Sequence, residues 1–145
     1  MKRGLILILI VTLLAVVGYS WNRDVIHHNL VYRGESDSWH AEYRVKGKWV
    51  FTEEAARTEF ASYVDGVLTI TYEQEVETAP KVEYLSIFYD LGPGNSHVKE
   101  YHDTIMKKNY RIERHNTSVP TQNTVMKISI DLDGDVETFE LTMKE

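Results

Sequence analysis

The chain has 145 residues, with 16 basic and 22 acidic side chains and no cysteine. The missing cysteines exclude disulfides, thiol catalysis and thiolate metal sites. The excess of acidic side chains disfavours binding to nucleic acid or anionic lipid head groups. Beyond the apolar N-terminal segment the length is that of one domain, which has to rest on its hydrophobic core alone.

The N-terminus has the pattern of an export signal or a membrane anchor. Lys2 and Arg3 precede an apolar run over residues 5–17 in which Thr12 is the one polar residue. The wider segment 4–21 just reaches the roughly 17–20 residues that a membrane-spanning helix needs. Cleavage after the run, at a small-residue site, is the alternative. Both interpretations place the rest of the chain outside the cytoplasm, either anchored to the cell membrane by residues 4–21 or secreted.

The chain is accordingly predicted to have three parts. Residues 1–21 are the signal peptide or anchor, the polar residues 22–29 are a linker, and residues 30–145 are the domain. Within the domain, apolar and polar residues mostly alternate, which predicts half-buried strands. The predicted strands cover residues 39–46, a stretch beginning at 49–51, then 68–73, 82–91, 110–115, 126–132 and 138–143.

Glycines punctuate this pattern. The sequences around Gly47 and Gly66 predict turns, and residues 92–94, Gly-Pro-Gly, end the strand before them. Residues 52–61 fit either a short helix or the tip of a hairpin. Residues 96–108 fit either a helix, because apolar residues recur at helical spacing, or an extended segment.

The last two strands predict a hairpin with a defined register. Asp133-Gly134, between two alternating segments, is the signal for a two-residue type I′ turn. Such a turn sets Ile128 opposite Phe139, so that the apolar residues of both strands share one face. Pattern and turn therefore agree on the same pairing.

Seven or eight short strands without a βαβ pattern predict an all-β fold. We expect an antiparallel β-sandwich of immunoglobulin-like size, preceded by an N-terminal hydrophobic helix.

Two segments carry a family resemblance. Residues 34–39, Gly-Glu-Ser-Asp-Ser-Trp, and the ending at residues 137–141, Glu-Thr-Phe-Glu-Leu, together resemble small extracytoplasmic proteins of Bacillus-type bacteria. Those proteins share a Gly-Glu-Ser-x-x-Trp motif, and their function is uncharacterised. The resemblance covers the two ends of the domain. It implies an extracytoplasmic location and a β-fold, and it supplies no catalytic residue. Many such proteins are lipoproteins, whereas this chain lacks the cysteine that lipidation requires.

The motif also has a structural interpretation. Gly34 is expected to adopt a positive φ where a strand ends. Ser36 and Asp37 are expected to bond to backbone amides in the turn, and Trp39 to enter the core. On the alternative interpretation, Glu35 and Asp37 belong to a surface binding site, and they are the two candidate site residues of the sequence.

Two groups of side chains resemble metal sites without meeting their requirements. Asp131, Asp133 and Asp135 surround a glycine, but the glycine and glutamate that a calcium loop needs are not at the required spacing. They are interpreted as a turn. The six histidines form no zinc-binding pattern, and His27-His28 in the predicted linker is the remaining candidate. No cofactor and no metal site is predicted.

Catalytic constellations are equally weak. No serine lies in a nucleophile elbow, and paired carboxylates are common on exposed strands. The expected function is therefore a non-catalytic binding or interaction module of the bacterial envelope, with the tyrosines as material for its surface. Its partner would be another envelope protein or a cell-wall component. A divalent-cation or small-ligand sensor and a hydrolase with a dispersed site are the alternatives. An exposed aromatic patch would favour the interaction module.

Overall fold

The computed structural model describes residues 10–13, 23–54, 57–74, 80–92 and 96–143. The strands are β1 (Arg23–Glu35), β2 (Trp39–Glu54), β3 (Arg57–Tyr72), β4 (Lys81–Asp90), β5 (Ser96–Ile105), β6 (Asn109–Arg114), β7 (Met126–Leu132) and β8 (Asp135–Met143). Neighbouring strands are antiparallel, in the order β5-β4-β7-β8-β1-β2-β3-β6. The predicted all-β class is confirmed, with the eight strands in one curled sheet.

The curl follows from how the two halves of the sheet are joined. Within the described ranges, β1 pairs with β8 through two residue pairs, Tyr32 with Met143 and Arg33 with Thr142. The edge strands β5 and β6 follow one another in the chain, and their Tyr101 and Tyr110 rings lie 5.6 Å apart. The sheet therefore bends at the β1–β8 junction and brings its two edges together.

The core lies inside this curl. On β2, every second residue from Trp39 to Val45 is buried, because successive side chains of a strand point to opposite faces. β7 contributes Met126, Ile128 and Ile130 from the other half. Buried residues of both halves form one continuous hydrophobic cluster.

The predicted C-terminal hairpin is confirmed in its register. Ile128 pairs with Phe139, and both are buried. Asp133 and Gly134 have φ angles of 51° and 92°, as a type I′ turn requires. The Asp131 carboxylate accepts a hydrogen bond from the Gly134 N–H at 2.9 Å. The turn and the hydrophobic pattern thus specify the same structure.

The turns predicted at Gly47 and Gly66 are wrong, because β2 and β3 run straight through both positions. Each glycine is instead needed for close packing. A Cβ on Gly47 would overlap the backbone of Tyr63, and a Cβ on Gly66 would overlap the ring of Tyr43. β2 and β3 are therefore long, unbroken strands that pair along their whole length.

The linker predicted for residues 22–29 is also wrong from Arg23 onward, where β1 begins and pairs with β2. The ambiguous segment 52–61 is a hairpin tip, with β2 ending at Glu54 and β3 beginning at Arg57. The ambiguous segment 96–108 is extended, as strand β5 over most of its length. The prediction of a strand at residues 110–115 corresponds to β6.

Most of the apolar N-terminal segment 4–21 lies outside the described residues. Residues 10–13 form one helical turn. Within the described part of the chain, no helix is long and apolar enough to cross a membrane.

Candidate interaction surface

One end of the molecule is a three-stranded projection, which we call the ribbon. It consists of residues 23–29 of β1, 47–54 of β2 and 57–63 of β3. Among the described residues, β8 joins β1 only at Tyr32 and Arg33, and β6 joins β3 only from Gly66 onward. The ribbon thus extends beyond β8 and β6, the strands that flank β1 and β3 in the rest of the sheet.

Large apolar side chains are exposed on both faces of the ribbon. Relative exposure is 43% for Val25, 48% for Ile26, 57% for Phe60 and 59% for Tyr63. Exposed apolar residues of this size are unremarkable when they are scattered, but a contiguous group marks an interaction site. Ile26 and Phe60 lie on the inner face and Val25 and Tyr63 on the outer face, so each face carries one aliphatic and one aromatic exposed side chain on the strands that flank β2.

The inner face of the ribbon, which continues the core-facing side of the sheet, carries an aromatic cluster. The Phe60 ring lies 5.9 Å from that of Trp49 and 5.2 Å from that of Phe51. His28 packs edge-on against Trp49 at 4.3 Å. The His28 Nε2 is buried without a hydrogen-bond partner among the described residues. Phe60 is the exposed member of this cluster, so a partner can reach the rings from the side of Phe60.

The outer face carries a shallow groove of about 570 Å³. Val25, Val50 and Ala61 lie side by side across the three strands and form its apolar part. Lys48 places its ammonium group 5.9 Å from the centre of the Tyr63 ring, at the range of a cation–π contact. The inner face is therefore mainly aromatic, whereas the groove on the outer face combines its apolar side chains with the charged Lys48 and Glu59.

The free edge of the ribbon on β3 has unpaired backbone groups. Even-numbered residues of β3 direct these groups towards β6, since the Tyr72 N–H donates to Lys108 and the Val64 carbonyl accepts from Thr117. The N–H and C=O groups of Thr58, Phe60 and Ser62 therefore point outward. Within the described part of the chain, no strand pairs with this stretch. An edge of this kind is a template for another strand.

The sequence candidates Glu35 and Asp37 lie at the opposite end of the β1–β2 hairpin. Glu35 pairs with His40 next to the turn, whereas Arg23 pairs with Thr52 at the tip of the ribbon. Both acidic side chains are exposed. They do not belong to the ribbon. Among the described residues, no other side chains join them in a group that could hold a metal ion.

The β1–β2 turn is instead held by Glu137 of β8. The Ser38 N–H donates to Glu137 Oε2 at 3.1 Å, and Gln74 Nε2 donates to Ser38 Oγ at 3.2 Å. Desolvation alone would raise the pKa of the Glu137 carboxyl. Hydrogen bonds from the Ser36 and Ser38 hydroxyls and from backbone amides outweigh it and lower the pKa below the ordinary value of 4.5. Residues 34–39 and 137–141, the two segments that carry the family resemblance, thus contact each other.

The structural account of the motif is correct for one residue and wrong for another. Trp39 is buried in the core, as predicted. The φ of Gly34 is not positive, because Gly92 and Gly134 are the glycines with that conformation among the described residues. Gly34 is needed for a different reason, since a Cβ there would overlap the carbonyl oxygen of Glu140 on β8.

We expect Glu137→Gln to lower the stability of the fold by about 1 kcal/mol at neutral pH, a value reduced by partial exposure. Because the folded pKa is lowered, the contribution of the carboxylate is complete above about pH 4.5. It disappears as the pH falls through the folded pKa. Urea unfolding of the two proteins from pH 7 to pH 3 measures this difference.

Glu140→Gln, on the exposed side of the same strand, is the matched control. A Glu137→Gln variant that differs from the native chain equally at pH 7 and pH 3 would contradict the role of the charged carboxylate.

The two metal candidates from the sequence are not supported by geometry. His27 and His28 are neighbours on β1, so their side chains point to opposite faces. The Asp133 carboxylate accepts a hydrogen bond from the Tyr84 N–H at 2.7 Å, and Asp131 bonds to Gly134. In the part of the chain that the structure describes, no group of three potential metal-ligating side chains occurs.

Comparison of the chain with protein-family models, with curated proteins and with solved structures finds no match in any of the three. The resemblance to small extracytoplasmic proteins of Bacillus-type bacteria stays a prediction.

Sequence reasoning missed the ribbon. Its signal was the uninterrupted apolar run Trp49-Val50-Phe51, which puts apolar side chains on both faces of one strand. Such a run is typical of a strand that is covered on both faces.

Proposed function

We propose that this chain is a non-catalytic interaction module of the bacterial envelope and that the ribbon is its interaction surface. The observation that carries the proposal is the exposure of Val25, Ile26, Phe60 and Tyr63 on strands that, among the described residues, extend past β8 and β6. Such side chains are unfavourable in water and are characteristic of the centre of a protein interface.

The position of the ribbon fits an envelope location. β1 starts at Arg23, directly after the apolar segment 4–21, and Arg23 pairs with Thr52 at the tip. A chain anchored by residues 4–21 would hold the tip of the ribbon next to the membrane surface. A secreted chain would present the same surface without this constraint. The ribbon is accessible to an envelope partner in both cases.

The chemistry of the surface favours a protein partner over a cell-wall glycan. The ribbon combines aromatic and aliphatic side chains on both faces with a free strand edge. Aliphatic residues and unpaired backbone groups complement another polypeptide, which can add a strand and bury apolar area.

The test is cross-linking of the tagged full-length protein in its own host, followed by mass spectrometry. We expect the double variant Phe60→Ser/Tyr63→Ser to lower recovery of the partner at least about tenfold, since exposed aromatic residues dominate interface energies. Both side chains are more than half exposed, so their loss should change the melting temperature little.

The matched control is Val98→Ser/Ile105→Ser on β5, where two apolar residues are similarly exposed at 55% and 61%. Equal loss of the partner in both double variants would contradict the ribbon as the specific surface. Full recovery in the ribbon variant would do the same.

A further inference from the structure

We propose that the occupant of the ribbon is a second copy of this chain, which pairs its own β3 edge with that of the first. The proposal rests on the ribbon being the interaction surface described above and names its partner. It starts from the three residues with outward backbone groups, Thr58, Phe60 and Ser62.

The hydrogen-bonding pattern of this edge is self-complementary. In an antiparallel pair, residues that face each other with both N–H and C=O groups exchange two hydrogen bonds. With a two-fold axis at Phe60, Phe60 faces the partner's Phe60 and Thr58 faces the partner's Ser62. All outward groups of the three residues are then paired in both copies, as an isologous interface requires.

The side chains are compatible with the same register. On the inner face, the two Phe60 rings come together, and each already contacts Trp49 and Phe51 of its own chain. The rings of Phe60, Trp49 and Phe51 from the two chains therefore join into one cluster of six. Aromatic pairs across antiparallel strands stabilise a sheet.

The outer face also pairs favourably. Arg57 lies opposite the partner's Tyr63, where its guanidinium can stack on the ring as Lys48 does from the neighbouring strand. Glu59 lies opposite the partner's Ala61, so no two like charges face each other directly. The register that satisfies the backbone thus creates no direct electrostatic conflict.

The distribution of charge allows two copies to meet here. The ribbon contains three basic and four acidic residues, whereas residues 22–145 contain 14 basic and 22 acidic residues. Nearly all of the net negative charge therefore lies outside the ribbon. Two copies that approach by other surfaces repel each other more strongly than two that approach by their ribbons.

Cysteine cross-linking tests the register, and the absence of native cysteines makes it specific. Full-length Thr58→Cys and Ser62→Cys proteins are prepared separately in detergent, mixed, and oxidised with copper–phenanthroline. Facing residues have Cα atoms roughly 5.5 Å apart, within the range for a disulfide. We expect the mixture to form a covalent dimer. Each variant alone should not, because its two cysteines lie about 14 Å apart, four residues along the strands.

Val98→Cys on β5 is the matched control, with a similarly exposed apolar position on another edge strand. It should give no cross-link. A mixture that forms no more dimer than the single variants overturns the proposed pairing. Equal cross-linking by Val98→Cys also overturns it.

A second variant tests the edge without a cysteine. Thr58→Pro removes an N–H that no described residue of the same chain accepts, and proline is tolerated at such edge positions. We expect it to weaken dimerisation at least about tenfold in sedimentation equilibrium with density-matched detergent, whereas Thr58→Ala dimerises normally. Unchanged dimerisation of Thr58→Pro overturns the inference.

These outcomes are separable from failure of the proposed function. If the native chain is monomeric and Phe60→Ser/Tyr63→Ser still loses an envelope protein in the host, the ribbon is an interaction surface and the self-pairing is wrong. If the chain is monomeric and the ribbon variant loses nothing, both proposals are wrong.

Discussion

Replacement of Trp39 by alanine is expected to lower the free energy of unfolding by about 3–5 kcal/mol. Trp39 is 1% exposed, and its ring lies 4.8 Å from that of Tyr72 and 6.3 Å from that of Tyr110. It therefore links β2 to β3 and to the edge strand β6 inside the core. A cavity of this size can refill only by moving strands, because its neighbours are themselves held in the sheet. Urea unfolding monitored by circular dichroism measures the loss.

Trp49→Ala is the informative control for this prediction. Trp49 lies on the ribbon, is only partly buried, and packs at the margin of the core cluster as well as against His28 and Phe60. We expect a loss of about 1–2 kcal/mol, because less area is returned to water and no closed cavity is left. Similar losses for both variants would contradict the division between a stabilising core and a ribbon that is available for binding.

The C-terminal hairpin was predictable because two independent signals coincide there. A two-residue turn admits only a few backbone conformations, and Asp133-Gly134 suits the one that fits twisted strands. The alternation in β7 and β8 then leaves one register in which all apolar residues face the core. Where local and long-range requirements agree in this way, a sequence specifies its strand pairing.

The positions of Gly47 and Gly66 show why the long strands were not predictable. Glycine permits a turn, but it also permits close packing, and the sequence pattern around it does not distinguish the two. The Tyr43 ring that occupies the space above Gly66 comes from another strand. That requirement is tertiary, so it cannot be read from neighbours in the chain.

The ribbon was missed for a related reason. Alternation predicts a strand with one buried and one solvated face, whereas the ribbon has exposed apolar residues on both faces and meets the core cluster at its margin, through Trp49. Residues 23–29 contain few apolar side chains and are held as a strand by pairing with β2. The candidates that the sequence did offer, Glu35 and Asp37, belong to the opposite end of the hairpin. A binding surface formed by three long strands exists only once their register is known.

Gly34→Ala is expected to destabilise the fold by about 3 kcal/mol or more, at the upper end of what overpacking costs. A Cβ at this position would overlap the carbonyl oxygen of Glu140 and press on the Leu141 side chain. The obstacle is mainly backbone, so it cannot be relieved by a rotamer change. β8 must move away from β1, and these two strands join the halves of the sheet. Faster hydrogen exchange should therefore appear first at β8 amides near Leu141 and Met143.

Gly134→Ala separates this packing effect from the general cost of losing a glycine. Gly134 has a φ of +92°, but no atom lies within 4 Å of a Cβ placed there. We expect a cost of about 1 kcal/mol from backbone strain alone. If Gly34→Ala cost no more than this, the β1–β8 junction would tolerate separation. In that case the shared hydrophobic cluster and the bonds of Glu137 to the β1–β2 turn would have to hold the two halves together without it.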